Sequence, residues 1–80
     1  MFVAYIIYST KCCRFYVGMS SHFKDRLKTH NSGRVKSTKA FLPWELYYSE
    51  EFETRIEARK REKYFKSSAG RKWRKSNLGM

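Results

Sequence analysis

The sequence predicts an α+β domain, a small three-stranded antiparallel sheet flanked by helices in β-β-α-β-α(-α) order. Three observations predict it. Two apolar, aromatic runs, FVAYIIYS and RFYVGMS, are separated by the short polar stretch TKCC. The next segment, SHFKDRLKTH, repeats its apolar positions at helical spacing and stops at Asn31-Ser32-Gly33. A third strand-like run, WELYYS, then leads into a long charged helical segment. Eighty residues fit one domain spanning 1–80. A chain this short buries only about 60% of its unfolded surface, so its core is thin.

Phe2 to Ser9 is apolar on both faces, as in a central strand covered on both sides. Thr10 to Cys13 reads as a hairpin turn. A turn centred on Thr10 and Lys11 would set Tyr5 opposite Tyr16, pointing to the same face. Phe15 to Met19 forms the second strand. Ser20 or Ser21 can cap the first helix, with Asp25 in its first turn. Phe23, Leu27 and His30 recur at i, i+4 and i+7, and Arg26 borders that stripe, one turn before His30. Arg34 to Phe41 is a basic loop, and Pro43 precedes a third strand that places Trp44, Leu46 and Tyr48 on one face. A helix follows from about Glu53 to Ser67. Ala69-Gly70 breaks it, and Arg71 to Asn77 adds a short, very basic turn or helix.

The charge points to a polyanionic partner. Eighteen Lys and Arg against seven acids give a net charge of +11. Arg55 to Lys75 alone holds ten basic residues and two acids. Hydrophobic residues make up 41% of the chain, enough for one core, but no stretch approaches the ~18 uncharged residues of a membrane span. No secretory signal is visible, and the adjacent Cys12 and Cys13 read as reduced thiols, so a cytoplasmic protein is expected. There is no Ser/His/Asp set, glycine-rich phosphate loop or paired-carboxylate motif.

The residues able to carry chemistry are few. Glu62 shares a helix face with Ala58, Phe65 and Ala69. A single carboxylate in a basic protein suits Mg²⁺, which takes one or two carboxylates plus waters and phosphate oxygens. It equally suits a surface pair with Lys66 at i+4, as Glu57 suits one with Arg61. Arg26 needs an anion or acceptor, and its fork matches phosphate. The bland alternative is a snorkelling arginine with His30 capping the helix end. Tyr5 and Tyr16 fit an aromatic core as well as a site. Gly18, on the same face as Tyr16, opens room beside the phenol for a backbone or ligand.

Taken together, these residues resemble the GIY-YIG nuclease domain, in its small single-domain bacterial form akin to the nuclease module of excision-repair endonucleases. Val3-Ala4-Tyr5 stands for the first motif and departs from it in two positions. Tyr16-Val17-Gly18 matches the second closely. The arginine ten residues after Tyr16, the histidine four beyond it and Glu62 in EARKREKYFK follow in the family's order. Lys66 stands where many members carry Asn or Gln. The resemblance covers Phe2 to about Lys66.

The resemblance implies a metal-dependent DNA endonuclease that hydrolyses phosphodiester bonds, in DNA repair or processing. Glu62 would hold one Mg²⁺ or Mn²⁺, and Arg26 would stabilise the transition state. Tyr5 or Tyr16 would orient or deprotonate the attacking water, and His30 would assist the proton transfer or bind a phosphate. DNA would be gripped by Arg34, Lys36 and Lys39 in the loop and by Arg59, Lys63, Lys66, Arg71 and Lys72 on the basic helices, with Gly18 allowing close approach. The runner-up reading is a nucleic-acid-binding module of the same fold with little or no turnover. A third is an RNA- or ribosome-associated protein stacking bases on its aromatic sheet.

Overall fold

The computed structural model describes residues 1–36 and 38–80. Strands β1 (Phe2–Ser9), β2 (Arg14–Ser20) and β3 (Trp44–Phe52) form one antiparallel sheet with β1 in the centre, in the order β2-β1-β3. Helix α1 (Phe23–Asn31) lies against one face, where Phe23 and Leu27 pack on Tyr5, Ile7 and Trp44. Helices α2 (Arg55–Lys66) and α3 (Ser68–Leu78) cover the other, packing Phe65, Trp73 and Leu78 on Ala4, Ile6 and Val17. Among the described residues, no helix is long and apolar enough to cross a membrane.

The hairpin register corrects one expectation. Tyr5 pairs with Gly18 and Tyr16 with Ile7, so the two tyrosines are diagonal rather than opposite. The loop is one residue later than expected: Ser9 pairs with Arg14. The Cys13 N–H donates to the Ser9 carbonyl at 3.0 Å, and Cys13 adopts a left-handed φ of 53°. A change in pair sum of two preserves the alternation, so both phenols still share a face. Cys12 and Cys13 are free and exposed.

Strand β3 runs on through Glu50 and Glu51 to Phe52. Its faces also differ from the expected alternation. Ile6 pairs with Tyr48 but Ile7 with Leu46, which leaves Tyr47 as an extra residue in a bulge. A bulge reverses the side-chain alternation. Trp44 therefore joins the α1 side of the sheet, while Tyr48 joins the Phe65 cluster on the other. The Tyr47 hydroxyl donates to the Leu78 carbonyl at 2.6 Å, tying the end of α3 to β3.

The helix ends follow local polar chemistry. Neither Ser20 nor Ser21 caps α1: the Ser20 hydroxyl accepts from the His22 N–H just before the helix, and α1 begins without a side-chain cap. At the last residue of α1, the Asn31 side-chain amide pairs with the backbone of Trp44. It donates to the Trp44 carbonyl at 3.0 Å and accepts from the Trp44 N–H at 2.7 Å. Helix α2 starts later than Glu53, because the Thr54 hydroxyl accepts from the Glu57 N–H as an N-cap and donates to the Glu57 carboxylate. Glu57 is thereby drawn away from Arg61. Arg61 instead donates to both Glu50 oxygens, at 2.8 and 3.2 Å, with its guanidinium 4.6 Å from the Trp73 ring centre. Burial pushes the Glu50 carboxyl up, but its hydrogen bonds from Arg61 and Tyr48 outweigh that and hold it below its ordinary range.

The break between α2 and α3 falls at Ser67, not at Ala69-Gly70. The Ser67 backbone is extended, and its hydroxyl accepts from the Gly70 N–H at 3.1 Å, restarting the helix at once. Gly70 is buried inside α3, and a Cβ there would lie 1.7 Å from the Tyr64 carbonyl oxygen. Its role is close approach of two backbones. Ala69 is exposed and does not continue the Glu62 stripe, since α2 has already ended.

Candidate active site

The site is assembled from the central strand outward. Tyr5 is on β1 and only 2% exposed. Its ring lies across Gly18 of the edge strand β2: a Cβ at position 18 would sit 2.5 Å from the phenol oxygen. The space that Gly18 opens is thus filled by Tyr5 itself rather than left for a ligand, and Gly18 is buried. Removing that one side chain lets a strand residue send its phenol sideways over its neighbour.

Helix α1 meets this phenol from above. His30 is fully buried (0% exposed), with Nε2 3.1 Å from the Tyr5 oxygen and Nδ1 2.9 Å from the Thr38 hydroxyl. Tyr16 is half-buried, its ring centre 5.1 Å from that of His30 and 6.3 Å from that of Trp44. Burial raises the Tyr5 phenol above its ordinary value. The Arg26 guanidinium opposes this by hydrogen bonding and charge, and the charges of Tyr16 and Glu62 add to the rise. Arg26 and Glu62 therefore act on one phenol, although they come from helices packed on opposite faces of the sheet.

Glu62 stands on α2, which packs against β1 and the edge strand β2. Its side chain is 18% exposed and accepts from Lys66 Nζ at 3.3 Å. Among the described residues, no three His, Cys, Asp or Glu side chains cluster as a metal-holding group. A lone, partly exposed carboxylate fits a Mg²⁺ or Mn²⁺ ion whose other ligands are waters and phosphate oxygens. Lys66 would compete with such an ion for one carboxylate oxygen.

The structure brings Tyr5, Tyr16, Arg26 and His30 together on the α1 side of the sheet and sets Glu62 within electrostatic reach of them. Arg34, Lys36, Lys39, Arg59, Lys63, Lys66, Arg71 and Lys72 are all exposed. Two residues escaped sequence reasoning. Thr38 is buried against His30, and its carbonyl accepts the Trp44 indole N–H at 2.9 Å. Asn31, read only as part of a helix stop, clamps the start of β3. Neither has a periodic signature, because each acts from a loop or a helix end.

Burial, with the Arg26 charge adding to it, pushes the His30 imidazole below its ordinary value of 6.5. His30 is then neutral in the fold but protonatable in the unfolded chain. Its contribution to stability is full above about pH 6.5 and is lost as the pH falls toward the lowered folded value, by up to about 1.4 kcal/mol per pH unit. Denaturant unfolding at pH 7.5 and 5.5 checks this. His30→Gln should be less stable than wild type at pH 7.5 and should lose less on acidification.

The family model described as the GIY-YIG catalytic domain matches residues 1–77. The chain is 38% identical over 71 residues to the UPF0213 protein YazA of Bacillus subtilis, an alignment covering 85% of this chain and 72% of that protein. It is 48% identical over 52 residues to a UPF0213 protein of Bacillus licheniformis, covering 64% of this chain and 54% of the relative. A UPF0213 protein of Bacillus pumilus is 44% identical over 63 residues, covering 75% and 64%. The chain thus spans less than two thirds of the length of the last two relatives. No solved structure gives a significant match.

Proposed function

The chain belongs to the GIY-YIG family, and from that premise we propose that it is a cytoplasmic, divalent-metal-dependent DNA endonuclease serving DNA repair or processing. The observation that carries the reading is the convergence on the Tyr5 phenol. His30 bonds it, Arg26 favours its charged form, and the charge of Glu62, far along the chain, bears on it in the opposite sense.

A water molecule attacks phosphorus, and its lone pair forms the new P–O bond. As it attacks, it passes a proton to the Tyr5 oxygen while Tyr5 passes its own to His30 Nε2. Because the two transfers are linked, the raised Tyr5 phenol never has to exist as a free phenolate. Tyr16, more exposed than Tyr5, orients the water. Arg26 neutralises charge growing on the phosphoryl oxygens. The P–O ester bond breaks with its electron pair on the leaving oxygen, which takes a proton from solvent. Mg²⁺ or Mn²⁺ held by Glu62 would supply Lewis-acid stabilisation of the phosphate and the leaving oxygen. The exposed Arg34, Lys36, Lys39, Arg59, Lys63, Arg71 and Lys72 hold the DNA backbone.

A supercoiled-plasmid assay with Mg²⁺ or Mn²⁺ tests the reading. Nicking is expected, as is DNA affinity that falls steeply with salt, with a log–log slope near −0.9 per phosphate neutralised. Absence of cleavage on duplex, branched and single-stranded DNA with either ion, alongside intact salt-sensitive binding, would favour the second reading, a binding module with little turnover. The Glu62–Lys66 ion pair is the observation on that side.

A further inference from the structure

We propose that Thr38 is a positioning residue: its hydroxyl fixes His30 in the Nδ1-protonated tautomer and leaves Nε2 as the acceptor for the Tyr5 proton. The inference rests on the reading of this cluster as a hydrolytic centre.

The hydrogen-bond directions form a chain. The Thr38 hydroxyl proton is directed at the Val35 carbonyl at 3.4 Å. Thr38 Oγ1 is then left as the acceptor for His30 Nδ1, 2.9 Å away, which carries the ring proton. A neutral imidazole has one donor and one acceptor nitrogen, so Nε2, 3.1 Å from the Tyr5 oxygen, accepts the phenol proton. Each step agrees with the next from Val35 to Tyr5.

Without the Thr38 oxygen, the Nδ1 proton would be left in a buried, unpartnered position. Moving it to Nε2 would satisfy the ring by donating to the Tyr5 oxygen. That ring could no longer accept the phenol proton, and the relay would be blocked at its first step.

Thr38 is held in place independently of its hydroxyl. Its carbonyl accepts the Trp44 indole N–H, its N–H donates to the Val35 carbonyl at 3.1 Å, and Trp44 is itself clamped by Asn31. Removing the hydroxyl therefore leaves the loop anchored, which makes Thr38→Val a usable probe.

The test compares wild type, Thr38→Val and Thr38→Ser. Long-range ¹H–¹⁵N NMR of the imidazoles at neutral pH should show His30 as the Nδ1–H tautomer in wild type and Thr38→Ser, shifted toward Nε2–H in Thr38→Val. Single-turnover plasmid nicking should fall by roughly tenfold to a hundredfold in Thr38→Val and stay within about twofold in Thr38→Ser. A wild-type His30 in the Nε2–H form overturns the proposal whatever the variants do. So does a Thr38→Val protein with unchanged tautomer and rate. A tautomer shift in Thr38→Val when no variant cleaves DNA would uphold the positioning role while removing the nuclease reading, so the two failures are distinct.

Discussion

Replacing Glu62 with glutamine is expected to reduce plasmid nicking by about 10²–10³-fold while leaving DNA affinity unchanged or slightly raised. The charge of this carboxylate bears on the Tyr5 phenol, raising it further. Glutamine keeps the size and still offers an oxygen to Lys66, so packing around α2 should survive. It removes the charge that would hold a divalent cation against a phosphate. One negative charge fewer on a +11 chain does not weaken contact with DNA. Nicking rate and fluorescence-anisotropy binding, measured on the same preparation, separate the two quantities. A Glu62→Gln protein that nicks at the wild-type rate would place the metal elsewhere or exclude Glu62 from the chemistry.

The largest effect on stability is expected at Gly70. Its missing side chain is what allows the start of α3 to cross the last turn of α2, and an added Cβ would fall 1.7 Å from the Tyr64 carbonyl oxygen. Backbone at that distance cannot give way as a flexible side chain can. Gly70→Ala should therefore force α3 off α2 and loosen Trp73 and Leu78 from the Phe65 cluster, at a cost of at least about 3 kcal/mol. A small domain has about 5 kcal/mol in total at the lower end of the usual range, so more than half of the stability should be lost and the unfolding midpoint should fall in proportion. Urea unfolding measures it. A variant within about 1 kcal/mol of wild type would mean that the two helices do not meet at this point.

Much of the fold was legible because its signals are local and periodic. An apolar run on both faces marked β1 as a central strand, and the i, i+4, i+7 stripe located α1. Two features hid the rest. Tyr47 adds one residue to β3, and a sequence shows alternation but not the place where it is interrupted, so Tyr48 was assigned to the wrong face. Ser67 restarts a helix that Gly70 was expected to end: glycine is a helix breaker by propensity, yet here it serves packing between helices, which propensity does not see. In the site, Tyr5, Tyr16, Arg26, His30 and Glu62 were readable as types in a particular order. Their convergence was not readable, nor was the buried hydroxyl of Thr38, which acts from a turn beyond the end of α1, where no periodic pattern applies.

The Asn31 clamp on Trp44 has a consequence for how this domain could diversify. An amide side chain standing in for a strand's backbone closes the chain between α1 and β3 into a tethered cassette. The side chains of Arg34 and Lys36 can be exchanged there at little energetic cost, provided the Val35 carbonyl between them stays in place to receive the Thr38 N–H and hydroxyl. Arg26 and His30 would stay in register with Tyr5 throughout, so grip on the substrate and the chemistry performed on it can vary separately.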